Sequence, residues 1–452
     1  MDKSLPNALL TSLKNVKGFN EEAFLSAHKE ALPVTSVRYN PLKLPLISQL
    51  DLPSEKVEWC PYGYYLAERP SFTRDPLFHA GAYYVQEASS MFVWHALEQC
   101  FSRDVQTKAL DLCAAPGGKS TLLASYFKNG LIVSNEVVKT RASILVENST
   151  KWGSGNIVVS NNDPKQFSHL ESYFDLLLID APCSGSGLFR KDEDAIDEWS
   201  EDNVALCSAR QKRILADALP ALKENGILIY ATCSYSAEEN EQVGAWLLQQ
   251  FSLESVRLPL KEEWGIVETA FQRGFGYRFY PDKVNGEGFY LSVFRKKDAG
   301  YFTATLKQKL NTVSKQETAI ITEWLKTEQH IFFKQNETIL AIQNNWEHDI
   351  PILQQYLYLR KAGTTVGTVK GKDLIPAHDL AVSVLPISYK VQKIALDRTN
   401  ALQYLKRKEV EIENAQTGWA LLTYNGLHLG WAKILPNRMN NYYPMEWRIL
   451  KD

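Results

Sequence analysis

Between residues 109 and 297 short apolar runs alternate with stretches of helical periodicity. ALDLC (109–113), LIVSN (131–135), NIVVSN (156–161), FDLLLID (174–180) and GILIYATC (226–233) read as strands. KSTLLASYF, RASILVENSTKW, VALCSARQKRILADALPAL and ENEQVGAWLLQQF read as the helices between them, and FYLSVFRK (289–296) closes the region. Apolar strands separated by helices imply βαβ units and a largely parallel sheet, a doubly wound Rossmann-like α/β domain. Upstream, Leu9, Leu10, Leu13, Phe24 and Leu25 mark helix before VTSVRYNPLKLPL, and five prolines from Pro33 to Pro61 break regular structure, a small α+β segment. HAGAYYVQEASSMFVWHAL reads as a turn into an amphipathic helix. YFTATLKQKLNTVSKQET (301–318) is polar and marks a new domain or linker. The expected divisions are 1–75, 76–297, 298–388 and 389–452.

The first strand runs into DLCAAPGGKST (111–121), which opens a helix. Glycines there let backbone approach a ligand, and the helix start offers free N–H groups. A P-loop needs glycine five positions before Gly118, where Cys113 stands, and no G-x-G-x-x-G is present. A nucleoside-type cofactor remains. Glu136 ends the second strand, where a carboxylate binds a ribose diol, and Asp163 follows the third, within reach of an adenine edge.

The fourth and fifth strands end in DAPCSGSG (180–187) and ATCSYS (231–236). They follow the chain reversal and are expected to be neighbours, roughly 4.8 Å apart, so Cys183 and Cys233 face one crevice beside the cofactor. Both sit in small, polar turns where a thiol is reachable, whereas Cys100 and Cys207 lie in helical stretches. Two thiols and the Asp180 carboxyl suit methylation of cytosine C5: a thiolate added to C6 makes C5 nucleophilic, a carboxyl assists at N3 or holds the cofactor amino group, and a base removes the C5 proton. On these residues alone a redox pair and two buried structural cysteines stay open, as does the order of the two thiols.

Charge and composition narrow this little. The 45% hydrophobic and 23% charged content is that of a globular chain. No apolar stretch is long enough for a membrane span, and MDKSLPNALLTSLKNV lacks a secretory core, so a cytoplasmic protein without membrane contact is expected. The six cysteines form no CxxC pair, so neither zinc nor any other metal is expected. A net charge of −2 is unusual for a nucleic-acid enzyme, and any RNA contact requires basic residues gathered on one face.

Taken together, DLCAAPGGKS, NEVVKTRASIL, DAPCSGSGLFRK and ATCSYSAEENE resemble the Nol/Nop/Sun family of RNA cytosine-5 methyltransferases, with GAYYVQEASSM and GEGFYLSVFRK also fitting, across residues ~79 to ~297. The resemblance implies S-adenosylmethionine as cofactor, held by Cys113, Ala114, Ala115, Pro116, Gly117, Gly118 and Lys119, with Glu136 on the ribose, Asp163 near adenine and Asp180 near the methionine end. It also implies Cys233 as nucleophile, Cys183 as the thiol assisting release, and Asp180 beside the reacting base. TSVRYNPLK and the tail GWALLTYNGLHLGWAKILPNRMNNYYPMEWR (418–448) resemble the RsmF-like bacterial branch, whose β-rich end is PUA-like. There Trp419, Tyr424, Trp431, Tyr442, Tyr443 and Trp447 interleave with Lys433, Arg438 and Arg448, a pattern suited to stacking on unpaired bases and meeting phosphates. The expected partner is ribosomal RNA or the small ribosomal subunit, met by a monomer. A transfer RNA methyltransferase and a non-catalytic RNA-binding assembly factor are the alternatives.

Overall fold

The computed structural model describes residues 4–30, 34–48, 52–53, 55–103, 105–303, 309–326, 328–412 and 415–450. Pro33 and residues 304–308 of the polar stretch lie outside them. The main sheet is built from β1 (Lys108–Asp111), β2 (Leu131–Asn135), β3 (Ile157–Ser160), β4 (Phe174–Asp180), β5 (Leu222–Thr232), β6 (Val267–Phe271), β7 (Gly274–Phe279), β8 (Phe289–Lys296) and β9 (Leu359–Ala362), in the order β6-β7-β8-β5-β4-β1-β2-β3-β9, with a tenth short strand, Leu253–Ser255, beside β8. β1 to β5 pair in parallel, and the strands flanking them are antiparallel. The chain winds outward through β2 and β3, then restarts at β4 on the other side of β1. That reversal opens a crevice above the carboxyl ends of β1 and β4.

The parallel strands are apolar at nearly every position because both faces are covered. Ala109, Ile132, Leu176 and Ile229 face one core; Leu110, Val133, Leu177 and Leu228 face the other. Helices α1 (Gly118–Tyr126), α2 (Lys139–Trp152), α3 (Glu201–Ala218) and α4 (Glu241–Gln250) make the crossovers. In the helix Phe92–Cys100, Phe92 to Leu97 are all buried between main-sheet side chains and the N-terminal segment, while Glu98 and Gln99 are exposed.

The N-terminal strands Thr35–Tyr39, Gly63–Leu66 and Tyr83–Val85 form a separate sheet, so this unit runs to Val85, past residue 75. Residues 330–376 supply a second separate sheet, of four strands, and send β9 back to pair with β3. A third comprises Gln392–Ala395, Gly418–Tyr424, Leu427–Leu435 and Arg438–Asn441. It is packed on both faces: Ala420, Leu422 and Ala432 join a core with Val37, Tyr64 and Tyr83, while Leu421 and Trp431 join one with Ile321, Val366 and Leu385.

That packing corrects the aromatic reading of the tail. Trp431 and Tyr443 are fully buried, with the Trp431 indole N–H donating to the Ala377 carbonyl at 2.9 Å, so neither can stack on RNA. Tyr442, 39% exposed, and the half-buried Trp419, Tyr424 and Trp447 remain at the surface. Among the described residues no helix is long and apolar enough to cross a membrane.

Candidate active site at the sheet reversal

The loop after β1 turns into α1 at Gly117, whose φ of +115° is a conformation that side chains disfavour. The loop is held from several directions. Arg141 Nη2 donates to the Ala115 carbonyl at 2.9 Å and Asn148 Nδ2 to the Pro116 carbonyl at 2.8 Å. Arg38, fully buried, donates through Nη2 to the Gly118 carbonyl (3.0 Å) and Thr121 Oγ1 (2.6 Å), and through Nε to Gln86 Oε1 (2.8 Å). The N-terminal sheet is thus bolted to the start of α1.

A cavity of about 170 Å³ lies over this loop. Cys113, Ala114, Ala115, Pro116, Gly118, Lys119 and Asp180 line it. Gly117 does not; it makes the turn. Tyr84, Val85, Gln86, Glu87 and Ser90 close the opposite wall. A Cβ added at Gly118 would come within 3.3 Å of the Tyr84 ring, so glycine keeps the wall close. Asp111 also lines the cavity. Its Oδ2 accepts from Ser120 Oγ at 2.7 Å, and its buried Oδ1 has no protein partner. Burial raises its pKa to about 7.

Lys119 Nζ donates to Asp180 Oδ2 at 2.7 Å. Burial opposes the ammonium, but the Asp180 carboxylate more than offsets it and raises the Lys119 pKa. Three residues past Asp180 comes Cys183, and Asp180 is in register with Ala231, two residues before Cys233. The two sulfurs stand 2.9 Å apart, both half-buried and free of disulfides. The hydrogen bond to Cys233, and then burial, push the Cys183 thiol well above its ordinary value. Gly187 N–H donates to the Cys233 carbonyl at 2.8 Å, tying the two loops together.

Cys183, Cys233, Glu136 and Asp163 do not line this cavity; the thiols lie in the loops beyond Asp180 and Ala231. Glu136 is buried at the end of β2; its Oε1 accepts from Val138 N–H at 2.9 Å, and Arg141 lies 3.6 Å from Oε2. Asp163 is about half exposed, accepts from Lys165 N–H at 3.0 Å and lies 3.8 Å from Arg213. Residue-by-residue reading missed Asp111, Glu239 and the wall from Tyr84 to Ser90. All stood inside quoted motifs, but nothing local showed that DLC places its acid against the cavity or that AEENE folds back on both cysteine loops.

The comparisons agree with this architecture. Residues 101–295 match the family model described as 16S rRNA methyltransferase RsmB/F. Residues 5–88 match the N-terminal domain of 16S rRNA methyltransferase RsmF, and 391–449 the methyltransferase RsmF PUA domain. The ribosomal RNA small subunit methyltransferase F of Enterobacter sp. (strain 638) is 31% identical over 455 residues, covering 94% of this chain and 92% of that protein. That of Vibrio vulnificus (strain YJ016) is 29% identical over 466 residues, covering 98% and 97%. A solved methyltransferase homolog from Pyrococcus horikoshii is 29% identical with a TM-score of 0.50, over 65% of this chain and 100% of that one. NSun6 from Pyrococcus horikoshii, solved with SFG, is 18% identical with a TM-score of 0.52 over 65% of this chain and 98% of its own, a likeness of fold.

Proposed function

The chain belongs to the family of the ribosomal RNA small subunit methyltransferases F, and from that premise we propose how its residues move a methyl group from S-adenosylmethionine to C5 of a cytosine in small-subunit ribosomal RNA. The cavity suits the methionine end of that cofactor: an unpartnered buried carboxylate oxygen on Asp111 can accept from an ammonium, beside apolar walls from Ala114 to Pro116, and the nucleoside end would extend out of it. Cys113 to Lys119 and Asp180 would hold it, with Glu136 on the ribose and Asp163 toward adenine. When bound, it supplies a methyl group on a positively charged sulfur.

Cys233 Sγ, as thiolate, bonds to C6 of the cytosine and breaks the C5–C6 double bond. Charge moves toward N3. Asp180 already accepts from an ammonium, so Lys119 is the member of that pair with a proton to lend to N3, while Asp180 fixes Lys119 and the pyrimidine edge. C5 is now nucleophilic and takes the methyl group. On release the C6–S bond breaks; Cys183 passes its proton to the departing Cys233 sulfur and takes the C5 proton in exchange. The N3 proton returns to Lys119. Cys233 sheds one proton before the next turnover, which matches the single proton methylation of a C–H bond must release.

The observation that carries this reading is the pair of thiols in contact in the loops after β4 and β5, the strand ends that also bring Asp180 to Lys119. Six unpaired thiols support a reducing, cytoplasmic setting. The test uses purified variants with labelled S-adenosylmethionine and 16S RNA. Cys233→Ala should lose methyl transfer yet bind cofactor. Cys183→Ala should accumulate a denaturation-resistant protein–RNA complex. Full activity in Cys233→Ala would refute the mechanism.

A further inference from the structure

Glu239 sits in the turn before α4, six residues past Cys233, and is fully buried. Its Oε2 accepts from Ser184 Oγ and Ser234 Oγ, both at 2.5 Å. Its Oε1 accepts from Ser184 N–H at 2.8 Å and Gln211 Nε2 at 3.0 Å. Ser184 directly follows Cys183, and Ser234 directly follows Cys233. One carboxylate therefore binds the residue after each thiol.

Tyr230 O–H donates to the Glu239 carbonyl at 2.5 Å and to Gln211 Oε1 at 3.0 Å, fixing both the turn and the glutamine. Asn240 Nδ2 donates to the Ser234 carbonyl at 2.7 Å, so the cysteine loop is gripped from its other side as well. Among the described residues no cation pairs with Glu239. A buried carboxylate held only by neutral donors is costly to keep, since burial raises its pKa while the serine, backbone and glutamine hydrogen bonds oppose the rise. The negative charge also adds to the forces keeping Cys183 protonated, after the Cys233 contact and burial.

We propose that Glu239 is the positioning residue of the thiol pair, setting the separation of the two sulfurs and deciding which of them keeps the proton they share. It touches neither substrate nor cofactor; it acts through Ser184 and Ser234. The proposal rests on Cys183 and Cys233 being the reacting thiols, so its test includes a readout that needs no methyl transfer.

In the full-length chain, Glu239→Gln keeps the volume but replaces an acceptor of two serine hydroxyls with an amide. Its kcat should fall about 10-fold or more, with KM for S-adenosylmethionine unchanged and Glu239→Asp recovering part of the loss. In a Cys233→Ala background, where Cys183 titrates alone, peptide-resolved alkylation should run at a pH about one unit lower once Glu239→Gln removes the charge. Ser234→Ala keeps the carboxylate but cuts its bond to the Cys233 loop; kcat should fall while the Cys183 alkylation profile stays in place. A kcat loss with an unmoved Cys183 profile in Glu239→Gln would reduce the residue to scaffold and overturn the proposal. If Glu239→Gln fails to fold, Ser234→Ala decides, and an unchanged kcat there overturns it too. Activity surviving in Cys233→Ala sinks the thiol mechanism instead, a separate result.

Discussion

At the ends of β4 and β5 two thiols meet each other and an aspartate meets Lys119 of α1, on backbone locked by buried hydrogen bonds, while in the C-terminal strands Trp431 turns into a core shared with residues 321–385. Both regions carry conspicuous side chains in dense motifs. In the first, two neighbouring parallel strands end side by side, so the residues in the turns that follow them meet one another. In the second, every strand has two faces, and which neighbour covers each face is decided by segments distant in the sequence, residues 321–385 on one side and 37–83 on the other. A motif at a strand end reports its own surroundings; an aromatic in a strand does not.

The contrast can be broken most forcefully at Trp431. If it is core, Trp431→Ala should lower stability by about 3–5 kcal/mol, read as a fall in denaturant midpoint with little change in slope. An unaltered midpoint with weaker RNA binding would return Trp431 to the surface. On the catalytic side, Lys119→Met removes the partner of Asp180 and the proton offered to N3. Its kcat should drop on the order of 100-fold while the fold survives, as thermal melting would verify.

Much of the central sheet was legible because burial on both faces leaves an apolar run wherever a parallel strand lies. LIVSN and FDLLLID coincide with β2 and β4 residue for residue. The hairpin of β6 and β7 was not legible: VETAFQRGFGYRF mixes charge with aromatics because these antiparallel strands lie at the sheet's edge. β9 was hidden for another reason. Its LRKA holds Lys361, buried against Asp379 in an ion pair no local pattern announces. At the site, the cysteines and the glycine loop stood out by residue type, whereas Glu239 required knowing that a turn after β5 folds back over two loops.

Asp111 sharpens the comparison through pH. Burial raises its pKa from 3.8 to about 7, so the folded state holds a proton there that the unfolded chain has already released. That contribution to stability is fully present below pH 3.8 and is lost as pH rises through about 7. Asp111→Asn should therefore gain on the wild type by roughly 2 kcal/mol between pH 5 and 7.5, measured by denaturation at both values. A constant difference would mean that Asp111 is ionised in the fold. The smallest effect is expected at Tyr442, whose exposed ring can still stack: Tyr442→Ala should leave stability within about 0.5 kcal/mol and weaken RNA binding by about 1 kcal/mol in a filter titration.

The central claim is the division of labour between the two sulfurs. Its most direct measurement is mass spectrometry of the protein–RNA complex trapped with Cys183→Ala, after protease and nuclease digestion. The account predicts a methylated cytidine mass on the peptide that contains Cys233. Its appearance in the native chain on the peptide containing Cys183, or a complex that still forms when Cys233 is replaced by alanine, would contradict it.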